Sequence, residues 1–404
     1  MYIDMVLFGT LLLLFSGIAK RIEQSRLSGP IFFVAAGFLL GPVGLGWFEG
    51  DIERSVLKLL ADLTLALILF CDAANADRTV LRQHMAIPIR MLLLGLPGAI
   101  LLGFSFALLT FDALSIWEAA ILATILGATD AALGKGVFAN PRVPAPVREG
   151  LNTESGLNDG LCVPFLLLFI ALAGQHSQGH EAAMALQLFA EELGIGALVG
   201  VGGAALAAGF LRQCHGQGWL AEHWLKIAAI ALALTLFAAA QALHGSGYIA
   251  AFCGGLTFGY LARKHARPAT EGDEMIGDSL AMLTWFVFGA AVVGPELDLT
   301  PEVLLYAVLS LTLVRILPII LSLAGSGLPM PSKLFLGWFG PRGLASVVFT
   351  IMVLNSDVPQ ASLIANVVAC TVLLSLILHG VSANPLAHWL AARVGTSSKK
   401  TEGP

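Results

Sequence analysis

Residues 126–165 of the chain read LGATDAALGKGVFANPRVPAPVREGLNTESGLNDGLCVPF. Several ionisable side chains lie here within apolar sequence long enough to cross a lipid bilayer. A charge at the centre of a membrane span costs roughly 2.5–3.5 kcal/mol on insertion scales, so such residues usually face the protein interior and mark an ion or proton route. Two carboxylates on neighbouring predicted spans, Asp130 and Asp159, therefore indicate ion transport.

The composition of the whole chain is that of a membrane protein. Of 404 residues, 57% are hydrophobic and only 12% are charged, which is more apolar than a soluble domain of this size. Because a membrane span needs about 20 mostly apolar residues, the sequence predicts an all-α protein with a single transmembrane domain over 1–404. The thirteen predicted spans are 2–19, 30–48, 56–75, 91–111, 116–138, 150–174, 189–211, 225–243, 247–262, 275–294, 303–324, 334–354 and 362–391.

Basic residues predict the orientation of these spans. Most of the 22 Lys and Arg residues fall in the odd-numbered connections and in the short tail at 394–404, and cytoplasmic connections collect such residues. The N-terminus is therefore predicted outside and the C-terminus in the cytoplasm. The expected location is the plasma membrane, as in a bacterial inner membrane, with the first span retained rather than cleaved as a signal peptide.

Several classes of partner are not expected. The formal charge is −5, and no basic patch interleaved with aromatic residues indicates nucleic-acid binding. The five cysteines are scattered and have the spacing of neither a disulfide framework nor a metal site. No cofactor is predicted, and the expected partners are membrane lipid, a monovalent cation and H⁺.

Two predicted spans are interrupted at corresponding positions. The fifth span contains GATD at 127–130 and the twelfth contains GPRG at 340–343, where glycine and a proline without an N–H weaken the helix. These spans lie seven apart and run in opposite directions, which predicts two inverted six-helix repeats with two broken, crossing helices. Such pairs point to a transporter binding site. The alternative is ordinary kinking, because Gly and Pro are common in membrane helices.

Four charged residues are predicted at the same depth. Asp130, Asp159, Arg315 and Arg342 lie eight or nine residues from the cytoplasmic ends of their predicted spans, or roughly 12–14 Å at 1.5 Å per residue. All four are therefore able to meet near the middle of the membrane.

The sixth predicted span presents polar groups on two faces. Ser155 and Asp159 are four residues apart and share one face, whereas Glu154 diverges from Asp159 by about 140°. A hydroxyl and a carboxylate are hard oxygen ligands suited to a small cation. Because a proton and a cation compete for one carboxylate, Asp159 is the predicted exchange site. The alternative is a protonated, hydrogen-bonded aspartic acid in the core.

The other polar residues have two interpretations each. Glu154 either pairs with Arg315 as a structural ion pair, which we favour, or binds the ion. Asp130 either compensates the positive end of a half-helix or ligates the ion. Thr129 either supplies a hydroxyl or carbonyl oxygen to the ion or caps a helix.

These motifs together resemble a known family. TD at 129–130, ESGLND at 154–159 and GPRG at 340–343 are similar to the monovalent cation:proton antiporter superfamily, specifically its NhaP-like sodium/proton exchanger branch. HGSGYIAAFCGG at 244–255 is similar to the opening of the ninth span in these proteins. The match in order and topology covers essentially the whole chain.

The resemblance implies a fold and an activity. The fold is NhaA-like, in a homodimer with interface helices within 1–85 and 225–295 and an ion-transporting core within 86–175 and 302–393 that moves as an elevator. The activity is antiport of Na⁺, Li⁺ or K⁺ against H⁺, which serves pH homeostasis, and not enzymatic catalysis. The implied site roles are ion and proton binding by Asp159, assistance by Ser155 and Asp130, a main-chain ligand from Thr129, pairing of Glu154 with Arg315, and stabilisation of the half-helices by Arg342.

The neighbour of Asp159 carries a further implication. Asn158 places the chain in the Asn-Asp branch, and the tenth span, 275–294, lacks the lysine expected of the Asp-Asp branch. One titrating aspartate implies electroneutral exchange of one proton for one cation.

Two departures from the family and three rival functions remain open. Ala131 replaces the usual proline, and Lys135 either snorkels to the surface or alters cation entry. The main rival is a sodium-coupled symporter of an organic anion on a related fold. A potassium efflux system of the Kef type would normally bring a nucleotide-binding domain, and an intramembrane enzyme would need a nucleophile and base that these motifs lack.

Overall fold

The computed structural model describes residues 2–23, 28–48, 54–75, 86–130, 133, 137, 140, 142–178, 182–262, 266–293 and 297–401. Every regular element within these residues is helical, as predicted. The helices are α1 (Tyr2–Glu23), α2 (Gly29–Leu40), α3 (Arg54–Asn75), α4 (Ala86–Thr110), α5 (Ile116–Ile125), α6 (Ala145–Gln178), α7 (Ala182–Gly216), α8 (Glu222–Ala242), α9 (Gly247–Leu261), α10 (Ala266–Phe288), α11 (Pro301–Ser322), α12 (Met330–Trp338), α13 (Leu344–Leu354) and α14 (Ala361–Thr401).

Many of these helices have the dimensions of membrane spans. Among the described residues, seven are long and apolar enough to cross a bilayer by length and composition: Ala86–Thr110, Ala145–Gly174, Phe189–Gly216, Trp224–Ala242, Ile276–Val293, Pro301–Ser322 and Ala361–Val394. Shorter apolar helices lie at Gly29–Leu40, Ile116–Ile125, Gly247–Leu261 and Leu344–Leu354. The polytopic membrane class follows from these lengths, since each long helix reaches the roughly 20 residues that a span needs.

Several helix boundaries differ from the predicted ones. Helix α6 begins at Ala145 rather than at 150, because Pro146 fits the first turn of a helix, where its missing N–H has no partner to lose. Helix α5 begins with a capping box between Ser115 and Glu118 and ends at Ile125, well before the predicted end at 138. The segment 126–130 that follows is not helical.

The second interruption separates α12 from α13. Residues 339–343 between them are not helical, and Pro341 within this segment has no N–H to donate to a helical ladder. The structure thus breaks the chain at both positions where the sequence carries clusters of glycine or proline.

The helices pack in two groups. One, the scaffold group, comprises α2, α3 and α7 to α10, in which α9 packs on α3, α7 and α8, and α10 packs on α2, α3 and α8. The other, the core group, comprises α4 to α6 and α11 to α14, in which α4 packs on α5 and α11, and α14 packs on α11 and α13. Helices α3 and α6 pack on each other and join the two groups.

Small residues allow a close helix contact in the scaffold group. A Cβ atom on Gly255 or Gly259 of α9 would collide with backbone atoms of α3 at Phe70 or Ala74. Glycine lets two helix backbones approach closely within a membrane. This contact fixes α3 beside α9, so that the opposite side of α3 is available to α6.

Candidate functional site

The two interrupted segments cross and satisfy each other's backbone groups. The backbone N–H of Asp130 donates to Pro341 O at 2.8 Å. The guanidinium of Arg342 donates from Nη1 to Ala128 O at 3.0 Å, and the hydroxyl of Ser346 donates to Ile125 O at 2.9 Å. Buried backbone groups outside a helix need such partners, so each broken span depends on the other.

The carboxylate of Asp130 lies at the N-terminal end of α13. Its Oδ2 accepts from the backbone N–H of Leu344 at 2.8 Å, and its Oδ1 accepts from the N–H of Leu133 at 3.2 Å. A negative charge is favourable beside the free N–H groups of a helix start. A Cβ atom on Gly343 would overlap the Asp130 carboxylate, so the glycine makes this approach possible.

Helix α6 brings the next polar residues against the first broken segment. The side-chain amide of Asn158 donates to the Thr129 hydroxyl at 2.5 Å, and the hydroxyls of Thr129 and Ser155 lie 3.2 Å apart. The backbone N–H of Thr129 lies close to the carboxylate of Asp159. All four residues are buried, and together with Asp130 they are brought into one place.

This cluster contains oxygen atoms without hydrogen-bond partners among the described residues. They are Oδ1 of Asp159 and Oδ1 of Asn158. An unpartnered buried oxygen is costly, and a small cation is one group that relieves this cost by accepting both as ligands. The cluster therefore fits a monovalent cation by the chemistry of its donor set.

Electrostatics make the same cluster favourable for a positive ion. Asp130, Asp72 and Glu154 all lie close enough to Asp159 for their charges to act on it. Their mutual repulsion is relieved when either a proton or a cation is bound. The arrangement is thus able to hold one positive charge, as H⁺ or as a metal ion.

Glu154 lies on another face of α6 and contacts Arg315 of α11. The pair is bidentate, with Nη1 to Oε1 at 2.5 Å and Nη2 to Oε2 at 2.7 Å. Both side chains are almost fully buried, at 0% and 1% exposed. Helix α6 begins at Ala145, so Glu154 lies nine residues into the helix.

Sequence reasoning did not single out two parts of this region. Asp72 of α3 lies beside Gly156 of α6: a Cβ atom added to that glycine would lie 3.8 Å from the Cβ of Asp72. The signal in the sequence was an acidic residue within an apolar predicted span. Ser375 and His379 of α14 contact the second broken segment.

Some predicted features lie outside the described residues. Ala131 and Lys135, which distinguish this chain from its family pattern, are among them. The proposed effect of Lys135 on cation entry stays a prediction.

Comparison with known proteins agrees with the resemblance drawn from the motifs. The family described as "Sodium/hydrogen exchanger, transmembrane" matches residues 9–389. A protein named K(+)/H(+) antiporter NhaP from Alkalimonas amylolytica is 26% identical, over 98% of this chain and 68% of its own length. K(+)/H(+) antiporter NhaP2 from a Shewanella species is 28% identical, over 94% of this chain and 66% of its own length. The chain thus spans about two thirds of these relatives.

The fold has a solved counterpart. The structure of the sodium proton antiporter MjNhaP1 from Methanocaldococcus jannaschii at pH 8 superposes with a TM-score of 0.76 and 21% sequence identity. The match covers 95% of this chain and 97% of that one. At this identity the likeness concerns the fold.

Proposed function

Since the chain belongs to the sodium/hydrogen exchanger transmembrane family, we propose that it is a secondary antiporter that exchanges a monovalent cation for H⁺ across the plasma membrane. Na⁺, Li⁺ and K⁺ are all candidate substrates. Relatives named as K⁺/H⁺ antiporters and a structural neighbour described as a sodium proton antiporter support this range.

The single observation that carries the proposal is the setting of Asp159. Its carboxylate is 5% exposed, lies among three other acidic side chains, and has one oxygen without a hydrogen-bond partner among the described residues. Such a group is stable only when it holds a positive charge. A proton and a cation are alternatives for this role, and their competition at one carboxylate is the basis of antiport.

The remaining site residues take supporting roles in this proposal. Asp159, Ser155, Asp130, Thr129 and Asn158 provide oxygen ligands to the cation, and the side-chain N–H of Asn158 also fixes Thr129 by its hydrogen bond. Glu154 and Arg315 neutralise each other as a structural pair. With Asn158 rather than a second acid beside Asp159, one cation exchanges for one proton and the cycle is electroneutral.

The architecture suggests how access alternates. We assign thirteen membrane crossings in two inverted repeats, with the N-terminus outside and the C-terminus in the cytoplasm, and a homodimer held by the scaffold group. The core group carries Asp159 and moves against the scaffold group as an elevator. Support comes from the packing of the helices into these two groups, which meet where α3, α7 and α9 contact α6 and where α3 contacts α13.

The symporter alternative gains no support from the relatives, which carry the names of antiporters. Direct assay distinguishes the two activities, because antiport couples cation flux to proton flux in the opposite direction without any organic anion.

The test is dye-monitored exchange in proteoliposomes. A preset pH gradient should dissipate on addition of Na⁺, Li⁺ or K⁺ alone. Asp159→Asn should reduce the rate of exchange by at least about 100-fold, since the amide neither takes up and releases a proton nor carries a negative charge at working pH. Electroneutrality is checked in the same vesicles, because valinomycin with K⁺ on both sides should leave the rate of an electroneutral Na⁺/H⁺ exchange unchanged.

Asp62→Asn is the matched control. Asp62 is also a buried membrane aspartate, at 8% exposed, but it accepts a hydrogen bond from Tyr248 within the scaffold group. Its amide variant should exchange at near the original rate. Exchange by Asp159→Asn at the original rate would refute the proposed site.

A further inference from the structure

One face of α14 holds the broken segment between α12 and α13. Ser375, His379 and Ser382 follow at intervals of four and three residues, so they lie along one side of the helix. Nε2 of His379 lies 2.9 Å from Trp338 O, the last carbonyl of α12. The indole of Trp338 donates from Nε1 to Ser382 Oγ at 2.9 Å.

The backbone of the broken segment is held by the same face. The N–H of Arg342 donates to Ser375 Oγ at 2.7 Å, and Ser375 Oγ lies 3.1 Å from Nδ1 of His379. His379 and Ser375 are 4% and 0% exposed, so water is not available to replace either bond. The face therefore adds a second donor to the carbonyl where α12 ends, which also accepts from the N–H of Gly340 at 2.9 Å, and it supplies the acceptor for the first N–H after Pro341.

The Nε2–H tautomer of His379 completes two of its contacts, those with Trp338 O and the Ser375 hydroxyl, while Nδ1 also lies 3.0 Å from Ser375 O. Trp338 O is an acceptor only, so Nε2 must carry a proton to contact it favourably. The Ser375 hydroxyl already accepts from Arg342 and has one hydrogen to donate, for which Nδ1 is the acceptor. The neutral Nε2–H imidazole completes both bonds at once, as donor to α12 and acceptor from Ser375.

A continuous set of contacts runs from this histidine to the cation site. Ser375 fixes the backbone of Arg342, and the guanidinium of Arg342 donates to Ala128 O. Ala128 precedes Thr129, whose backbone N–H lies close to the Asp159 carboxylate and whose hydroxyl accepts from Asn158, the neighbour of Asp159. Displacement of Arg342 would therefore change the backbone that holds Asp159.

We propose that His379 is a positioning residue for cation binding, which acts by holding Trp338 O and, through Ser375, the backbone of Arg342. It touches neither the cation nor the proton carrier. The inference rests on the proposed cation/proton exchange, because the property that His379 is expected to change is the apparent affinity for the exchanged cation.

The test compares three substitutions by exchange kinetics and by cation-dependent thermal stabilisation in detergent. His379→Ala and His379→Leu remove both hydrogen bonds and should raise the apparent KM for Na⁺ or Li⁺ about threefold to tenfold, as expected for the loss of about one hydrogen bond in the bound state. Maximal turnover should change less than twofold. His379→Gln keeps a donor that can reach Trp338 O and should recover most of the affinity.

Cation-dependent stabilisation provides a readout without transport. The shift in the unfolding midpoint caused by Na⁺ or Li⁺ depends on the dissociation constant, so the Ala and Leu variants should need about threefold to tenfold more cation for the same shift. His388→Ala is the control on the same helix, since His388 is exposed and, among the described residues, its hydrogen bond lies within α14, to Asn384 O at 2.8 Å. It should leave the KM and the shift unchanged.

The outcomes separate this inference from the proposed function. If the unaltered protein exchanges cations and the Ala and Leu variants keep its KM and its cation-dependent shift, the positioning role is refuted while antiport stands. If all His379 variants, including Gln, are equally impaired, the hydrogen-bond mechanism is refuted. If the unaltered protein exchanges no cation for H⁺, the proposed function fails on its own account.

Discussion

At the scale of single residues, the Glu154–Arg315 pair shows why a charge is tolerated in the core of this protein. Both side chains are buried and their two hydrogen bonds are short. A buried ion pair contributes little more to the free energy of folding than apolar side chains of similar volume would. Loss of one partner, however, leaves a buried charge without compensation. The pair therefore holds α6 and α11 in register rather than adding much net stability.

A double-mutant cycle measures this coupling. Glu154→Gln and Arg315→Gln should each lower the free energy of unfolding by about 3–5 kcal/mol, because each leaves the other charge buried and unpaired. The double variant should lose less than the sum of the two, by about 1–3 kcal/mol. Denaturant unfolding in detergent micelles provides the measurement, and strict additivity would contradict the pairing.

At the scale of elements, Glu118 ties the start of α5 to the start of α14. Its Oε2 accepts from the backbone N–H of Ser115 at 2.8 Å, and its Oε1 accepts from the N–H of Gln360 at 2.8 Å. The side chain is 3% exposed. One carboxylate thus satisfies backbone donors from both halves of the core group, at the end opposite to the α12 contacts of α14.

Removal of this carboxylate should loosen both helix starts. Glu118→Ala leaves two backbone N–H groups without an acceptor and should cost about 2–4 kcal/mol of stability, whereas Glu118→Gln keeps one acceptor oxygen and should cost about half as much. Glu302→Ala is the matched control, since Glu302 lies in the first turn of α11 but is exposed. The loss of thermal stability should be largest for Glu118→Ala, smaller for Glu118→Gln and smallest for Glu302→Ala. An equal loss for Glu118→Ala and Glu302→Ala would argue against the role of Glu118 in joining the two helix starts.

At the scale of the whole molecule, the contact between α3 and α6 joins the scaffold group to the core group. Asp72 and Gly156 face each other there, and a Cβ atom added to Gly156 would lie 3.8 Å from the Cβ of Asp72. This separation equals the mean Cβ–Cβ distance of disulfide bonds. If the core group moves against the scaffold group, a covalent bond at this point must stop transport.

A reversible cross-link tests this motion. In a background with the five native cysteines replaced, Asp72→Cys combined with Gly156→Cys should form a disulfide on oxidation and lose exchange by at least about tenfold. Dithiothreitol should restore the rate of the reduced double variant. The two single-cysteine variants should not respond to oxidant, and full exchange by a quantitatively cross-linked sample would contradict relative motion of the groups.

Much of the architecture was readable from the sequence. Apolar runs of about 20 residues require helices in a membrane, because every backbone polar group must be satisfied within its own segment. Gly127 and the glycine and proline cluster at 340–343 mark the two interruptions, since neither residue type supports an uninterrupted helix. The spacing of Ser155 and Asp159 likewise places both on one face of α6 through helix geometry alone.

Other features were decided by the tertiary structure. The sequence does not reveal that Asp130 accepts from Leu344, that Asp72 lies within reach of Asp159, or that His379 meets the end of α12, because each contact joins segments far apart in the chain. Sequence alone thus determined the helices, their interruptions and the acidic residues, which depend on local chemistry. Only the packed structure decided which buried donor meets which acceptor, because that pairing depends on how the helices cross.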